Sequence, residues 1–167
     1  MVIHFTKKLA KKLHTPELTQ GDVPVGDHLR WYANLFTAKR VQYILTTNAA
    51  SLLSVVMYGR GLTDDGDYTT RFVSDLRDIL DELDMRLVFE RVIAPHIGRI
   101  ILAKTTDRSV LGSMNDMVQH CKYRLDMEDV SPWRLSQEIN STPYSALECR
   151  YPKKAFAAMS LDGGNEA

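Results

Sequence analysis

Between Leu29 and Met57 the chain reads in twos, and beyond Arg71 it reads in threes and fours. That change of period constrains the fold more than any other feature, because a side-chain period of two suits a half-buried strand and 3.6 suits a helix. Trp31-Tyr32-Ala33-Asn34-Leu35-Phe36 and Val41-Gln42-Tyr43-Ile44-Leu45 are aromatic and β-branched, and they flank Ala38-Lys39-Arg40 as a hairpin would. A turn at Asn48-Ala49-Ala50-Ser51 leads to a third strand, Leu52 to Met57. Ahead of these, Val2 to Phe5 reads as a short strand and Thr6 as the cap of a helix from Lys7 to Leu13. Residues 14–28 and 59–67 are punctuated by Gly, Pro and Asp and read as loops.

The helical half is led by Phe72, Val73, Leu76, Ile79, Leu80 and Leu83. A short helix is expected over Leu87–Ile93, stopped by Pro95, then a buried strand at Arg99–Ala103. Asp107 caps a long helix to about Leu125, Ser131-Pro132 opens another, and Pro152 starts the last. Strands gathered early and helices late predict an α+β fold: one domain over residues 1–159, with helices packed on a small antiparallel sheet. Residues 160–167 are expected to form a flexible tail.

Composition excludes several classes. With 167 residues, 44% of them hydrophobic, the chain has enough apolar material for one core and is not globally disordered. Its 21 basic and 21 acidic side chains exclude a uniformly polycationic coat, and no apolar run approaches a membrane span. Met1-Val2-Ile3-His4-Phe5 is apolar and the next residues basic, the reverse of a secretory signal, so a cytoplasmic setting is expected. Cys121 and Cys149 are far apart and lack partners at metal-ligand spacing; no metal or cofactor is expected, and Cys121 reads as a core residue.

The zero net charge conceals segments of +4 over residues 1–13, −6 over 62–90 and +4 over 91–125. Solvated faces account for these, or else Lys7, Lys8, Lys11, Lys12 and Arg40 converge on an anion. A second candidate is the strand-to-helix turn, where Lys104, Thr105, Arg108 and Ser109 surround a helix N-terminus. One Gly112 inside the helix cannot make a phosphate loop, and Asp107 competes for the same amides. On a helical projection Val110, Leu111, Met114, Met117, Val118, Cys121 and Leu125 share the core arc, opposite Ser109, Gly112, Ser113, Asp116, His120 and Tyr123. Asp116 and His120, one turn apart, form either a minor surface pair or a weak acid–base candidate. On the sheet, Tyr32, Asn34 and Phe36 face one way and Trp31, Ala33 and Leu35 the other, with Arg30 and His28 just before them. No nucleophile motif is present.

Trp31–Phe36, the Asn48–Ser51 turn and Lys104-Thr105 through Asn115-Asp116 resemble a bacterial family of single domains of unknown function, as do Thr6-Lys7-Lys8-Leu9 and Asn140-Ser141-Thr142-Pro143. The resemblance runs from about Val2 to Phe156; it implies a bacterial or phage origin and one domain, and transfers no catalytic or binding role. The leading expectation is therefore a binding or interaction domain for a nucleotide, nucleic acid or partner protein, through Lys104, Thr105, Asp107, Arg108, Ser109, Asn115, Arg30 and Asn34. One rival is a metal-independent enzyme on phosphodiesters or nucleotides, with His120 or His28 as acid–base and Arg108 or Arg40 on the phosphate. The other is an inhibitor acting through the acidic face.

Overall fold

The computed structural model describes residues 1–148 and 150–162, with the side chains of 160–162 left aside. Cys149 and most of the expected tail lie outside the described residues. Among the described residues five strands, β1 (Val2–Phe5), β2 (Arg30–Ala38), β3 (Val41–Asn48), β4 (Ser54–Tyr58) and β5 (Ile101–Lys104), form one sheet in the order β4-β3-β2-β1-β5. Six α-helices of the described residues accompany them: α1 (Lys7–Lys12), α2 (Asp65–Glu82), a single turn α3 (Arg86–Val88), α4 (Arg108–Met127), α5 (Pro132–Asn140) and α6 (Pro152–Asp162). The class is α+β.

The purely antiparallel sheet expected from the sequence is corrected to a mixed one. β2, β3 and β4 form the expected meander, but β1 pairs parallel with both β2 and β5. Parallel pairing needs a crossover, and α1 with the following loop supplies one between β1 and β2. The strand expected to be buried at 99–103 is instead an edge strand, and only Ala103 within it is buried. Its apolar character reflects one covered face and a partial cover on the edge, where Thr19 N–H donates to the Leu102 carbonyl (2.9 Å) and Lys104 N–H to the Thr19 carbonyl (3.0 Å). Thr6 stands at the start of α1, yet its hydroxyl does not cap; it donates to Asn34 Oδ1 at 3.1 Å. The helix expected at 87–93 is a single α turn, then a π turn at Phe89–Ile93 and a 3-10 turn that contains Pro95.

Alternation along the strands builds two cores. Ile3, Phe5, Trp31, Ala33, Leu35, Ile44, Val55 and Met57 pack with α1 and α2, where Trp31 meets Phe72 edge-on at 5.2 Å. Tyr32, Phe36, Leu45 and Val56 face α4 and α5, through Val110, Met114, Met117, Cys121, Leu135 and Ile139. Each such fully buried side chain stabilises by roughly 1.5–3 kcal/mol before chain entropy is counted. Burial pushes the Cys121 thiol up to about 12, as suits an inert core residue.

The outer edge of β4 is closed by side chains of α5. Ser136 Oγ accepts from Val56 N–H (2.8 Å), while Asn140 accepts from Ser54 N–H and donates to its carbonyl (2.8 Å each). These bonds occupy the groups through which an edge strand recruits another chain. Strand addition at Ser54–Val56 is thereby blocked.

Candidate functional site

The strand-to-helix turn forms as expected. Asp107 Oδ1 accepts from Ser109 N–H (2.8 Å) and Val110 N–H (3.2 Å), so its carboxylate occupies the helix amides an anion would use. Arg30, Arg108 and Ser109 share a shallow depression there with Tyr32, Thr106, Asp107 and Asp22. Lys104 and Asn34 do not line it; the first contributes backbone to β5, the second is taken by Thr6. Thr105 is half-buried, and Asn115 and Asp116 lie exposed further along α4.

Beneath this depression the polar groups are already used. Arg30 donates to Asp22 Oδ1 (2.7 Å) and the Val23 carbonyl (2.9 Å). His4 is fully buried, stacked on Tyr32 with centroids 4.4 Å apart, and its Nδ1 faces the Lys104 carbonyl at 2.6 Å. Facing an acceptor, Nδ1 carries the proton, which leaves Nε2 to accept from Arg30 Nη1 at 3.4 Å. Burial, with Arg30 adding to it, lowers the His4 pKa and keeps the ring neutral. The Tyr32 hydroxyl meets Thr106 Oγ1 at 3.2 Å, which ties the turn to the sheet. These residues are a bracket joining β1, β2, β5 and α4.

The carboxylate facing His120 is Glu138 of α5, with Nε2 and Oε2 3.7 Å apart. Glu138 also takes Arg124 (2.8 Å) and Arg134 (3.4 Å), and these contacts join α4 to α5 as an ion-pair network. The hydrogen bond from Arg124 holds the Glu138 carboxyl below the ordinary glutamate range. His28 is the middle residue of the 3-10 turn at Asp27–Leu29; burial, then His96, lowers its pKa. Among the described residues no group of His, Cys, Asp and Glu could hold a metal ion.

At the β2–β3 hairpin tip the pattern is different. Lys12 of α1, Arg40 of the turn and Arg60 after β4 line an open hollow of about 870 Å³ with Val41, Gln42, Tyr58 and Gly61. Among the described residues none of the three cations has a carboxylate within 4 Å; Lys12 reaches only the Leu62 carbonyl, at 3.3 Å. Two features of the backbone project the arginines. Lys39 and Arg40, the two residues of the hairpin turn, have φ of 44° and 64°, the mirror-image conformation that Asn-Gly usually occupies. Gly59 lies so close to Gln42 that a Cβ would sit 3.2 Å from its carbonyl oxygen, and Gly61 has φ +85°, so Arg60 stands out between two positions that favour glycine.

Lys12 and Arg40 belonged to the charge grouping visible in the sequence; Arg60 and Tyr58 did not. Their signal was local, an aromatic and a cation interleaved with glycines in Tyr58-Gly59-Arg60-Gly61 directly after a strand. No helix of the described residues is long and apolar enough to cross a membrane.

No curated protein and no solved structure matches the chain. A family model does, over residues 2–155, which is nearly the whole chain and every strand of the sheet. The chain belongs to that family, described as a domain of unknown function (DUF6933).

Proposed function

We propose that this chain is a one-domain binding protein, not an enzyme, and that it holds an anionic, phosphate-bearing ligand in the hollow at the hairpin tip. One observation carries this reading: three cations from separate elements surround one hollow, and among the described residues none of them has a carboxylate within 4 Å. Like charges so gathered repel, and an anion between them relieves the repulsion. The turn conformation adds weight. A non-glycine residue in the left-handed region costs on the order of 1 kcal/mol, and the hairpin carries two, both cationic. The depression at Arg30 and Arg108 supports a ligand less well, since Asp22 and Asp107 line it too.

Calorimetric titration with inorganic tripolyphosphate tests the reading. One-to-one binding at low salt, weakening steadily as salt is added, is expected. No binding at low salt, or binding indifferent to salt, would overturn it.

A further inference from the structure

Tyr58 borders two depressions at once. It lines the basic hollow with Lys12, Arg40 and Arg60, and it also lines the groove between α2 and α5 that contains Trp133. Tyr58 is 45% exposed and Trp133 is 39% exposed, whereas Trp31, the other tryptophan, is fully buried. Tyr58 is braced from behind: its ring lies 5.4 Å from Tyr43, which stacks on Phe36 at 5.3 Å. A braced ring open to solvent has little rotamer freedom left to lose when something stacks on it.

Phosphate needs cations and a nucleobase needs a flat apolar face, and a route joining both answers an unpaired strand. We infer that the track from the hairpin-tip hollow across Tyr58 to Trp133 binds single-stranded nucleic acid. Phosphates lie against Lys12, Arg40 and Arg60, and bases stack on Tyr58 and Trp133. The inference rests on the anion reading above and adds the class of ligand. A mononucleotide would use one ring, and the adjoining depressions offer two. A duplex hides its base faces inside its own stack. Along the groove Asp75 is paired with Arg71 at 2.9 Å, so it places no unpaired negative charge on the path.

The test is fluorescence anisotropy with a labelled oligo(dT) of about twelve nucleotides, beside inorganic polyphosphate as a base-free polyanion. Three phosphate contacts give a slope of log affinity against log salt of about −2. Tyr58→Ala and Trp133→Ala each weaken the oligonucleotide about tenfold and leave polyphosphate unchanged, while Tyr58→Phe, which still stacks, stays near wild type. Trp133 fluorescence is quenched on binding, and Trp133→Phe abolishes that signal. Binding of both polymers with no effect of the ring variants would overturn the inference and leave the anion reading standing. A mononucleotide bound as tightly as the oligonucleotide would overturn the polymer. Failure of both polymers to bind would overturn both readings.

Discussion

Two regions of this molecule gather basic side chains, and they differ in what those side chains already hold. At the junction of β1, β2, β5 and α4, Arg30 is spent on Asp22 and Val23, His4 on the Lys104 carbonyl, and the helix amides on Asp107. At the hairpin tip, Lys12, Arg40 and Arg60 hold no carboxylate among the described residues. Arg30 thus acts as internal fastening, while Arg40 and Arg60 stand as open charge. Counting lysines and arginines along the chain cannot separate the two cases; their partners do.

The contrast becomes a pair of opposite expectations: substitutions at the junction cost stability and spare binding, and those at the tip do the reverse. The largest stability effect is expected from His4→Ala, which empties a fully buried site and strips the Lys104 carbonyl and Arg30 of a partner. Urea unfolding is expected to show a loss of about 3 kcal/mol, with tripolyphosphate affinity unchanged. A neutral effect on stability would end the reading of the junction as a fastening.

A smaller effect follows from pH. His4 and His28 both have folded pKa values lowered below 6.5, chiefly by burial, so the unfolded chain binds protons more readily. Their contribution is complete above pH 6.5 and is lost as pH falls from there toward the folded values. Urea midpoints are therefore expected to fall between pH 7.5 and 5.5, and His4→Gln to flatten that slope. A wild-type midpoint constant across that window would contradict the neutral, buried ring.

The smallest stability change is expected at the tip and has the opposite sign. Lys39→Asn with Arg40→Gly places the residues that favour this turn at both left-handed positions. Thermal unfolding is expected to show a gain of about 1 kcal/mol, accompanied by weaker anion binding. A loss of stability would show that the two cations are not held against the preference of the turn.

Local features were legible in the sequence wherever a neighbouring residue supplies the cause. The hairpin turn, the Asp107 cap, the Ser131-Pro132 start and the core arc of α4 were all readable, since each depends on residues within a turn or two. The parallel pairing of β1 was not, because its partners lie about 30 and 100 residues away and no local pattern records direction. The same distance hid the closure of β4 by Ser136 and Asn140, which read as ordinary polar residues of a helix. Asn34, expected from the sequence among the binding residues, instead accepts from Thr6, the residue the sequence suggests as a cap. Lys12 and Arg40 were grouped by charge, but only the fold sets Arg60 and Tyr58 beside them.

One measurement separates the two basic regions most directly: tripolyphosphate affinity at low salt for Arg40→Gln with Arg60→Gln, set beside Arg30→Gln with Arg108→Gln. The expected result is a loss of tenfold or more, about 1.4 kcal/mol or greater, for the tip pair and near-wild-type affinity for the junction pair. Equal losses in both variants, or a loss confined to the junction pair, would contradict the assignment of the ligand to the hairpin tip.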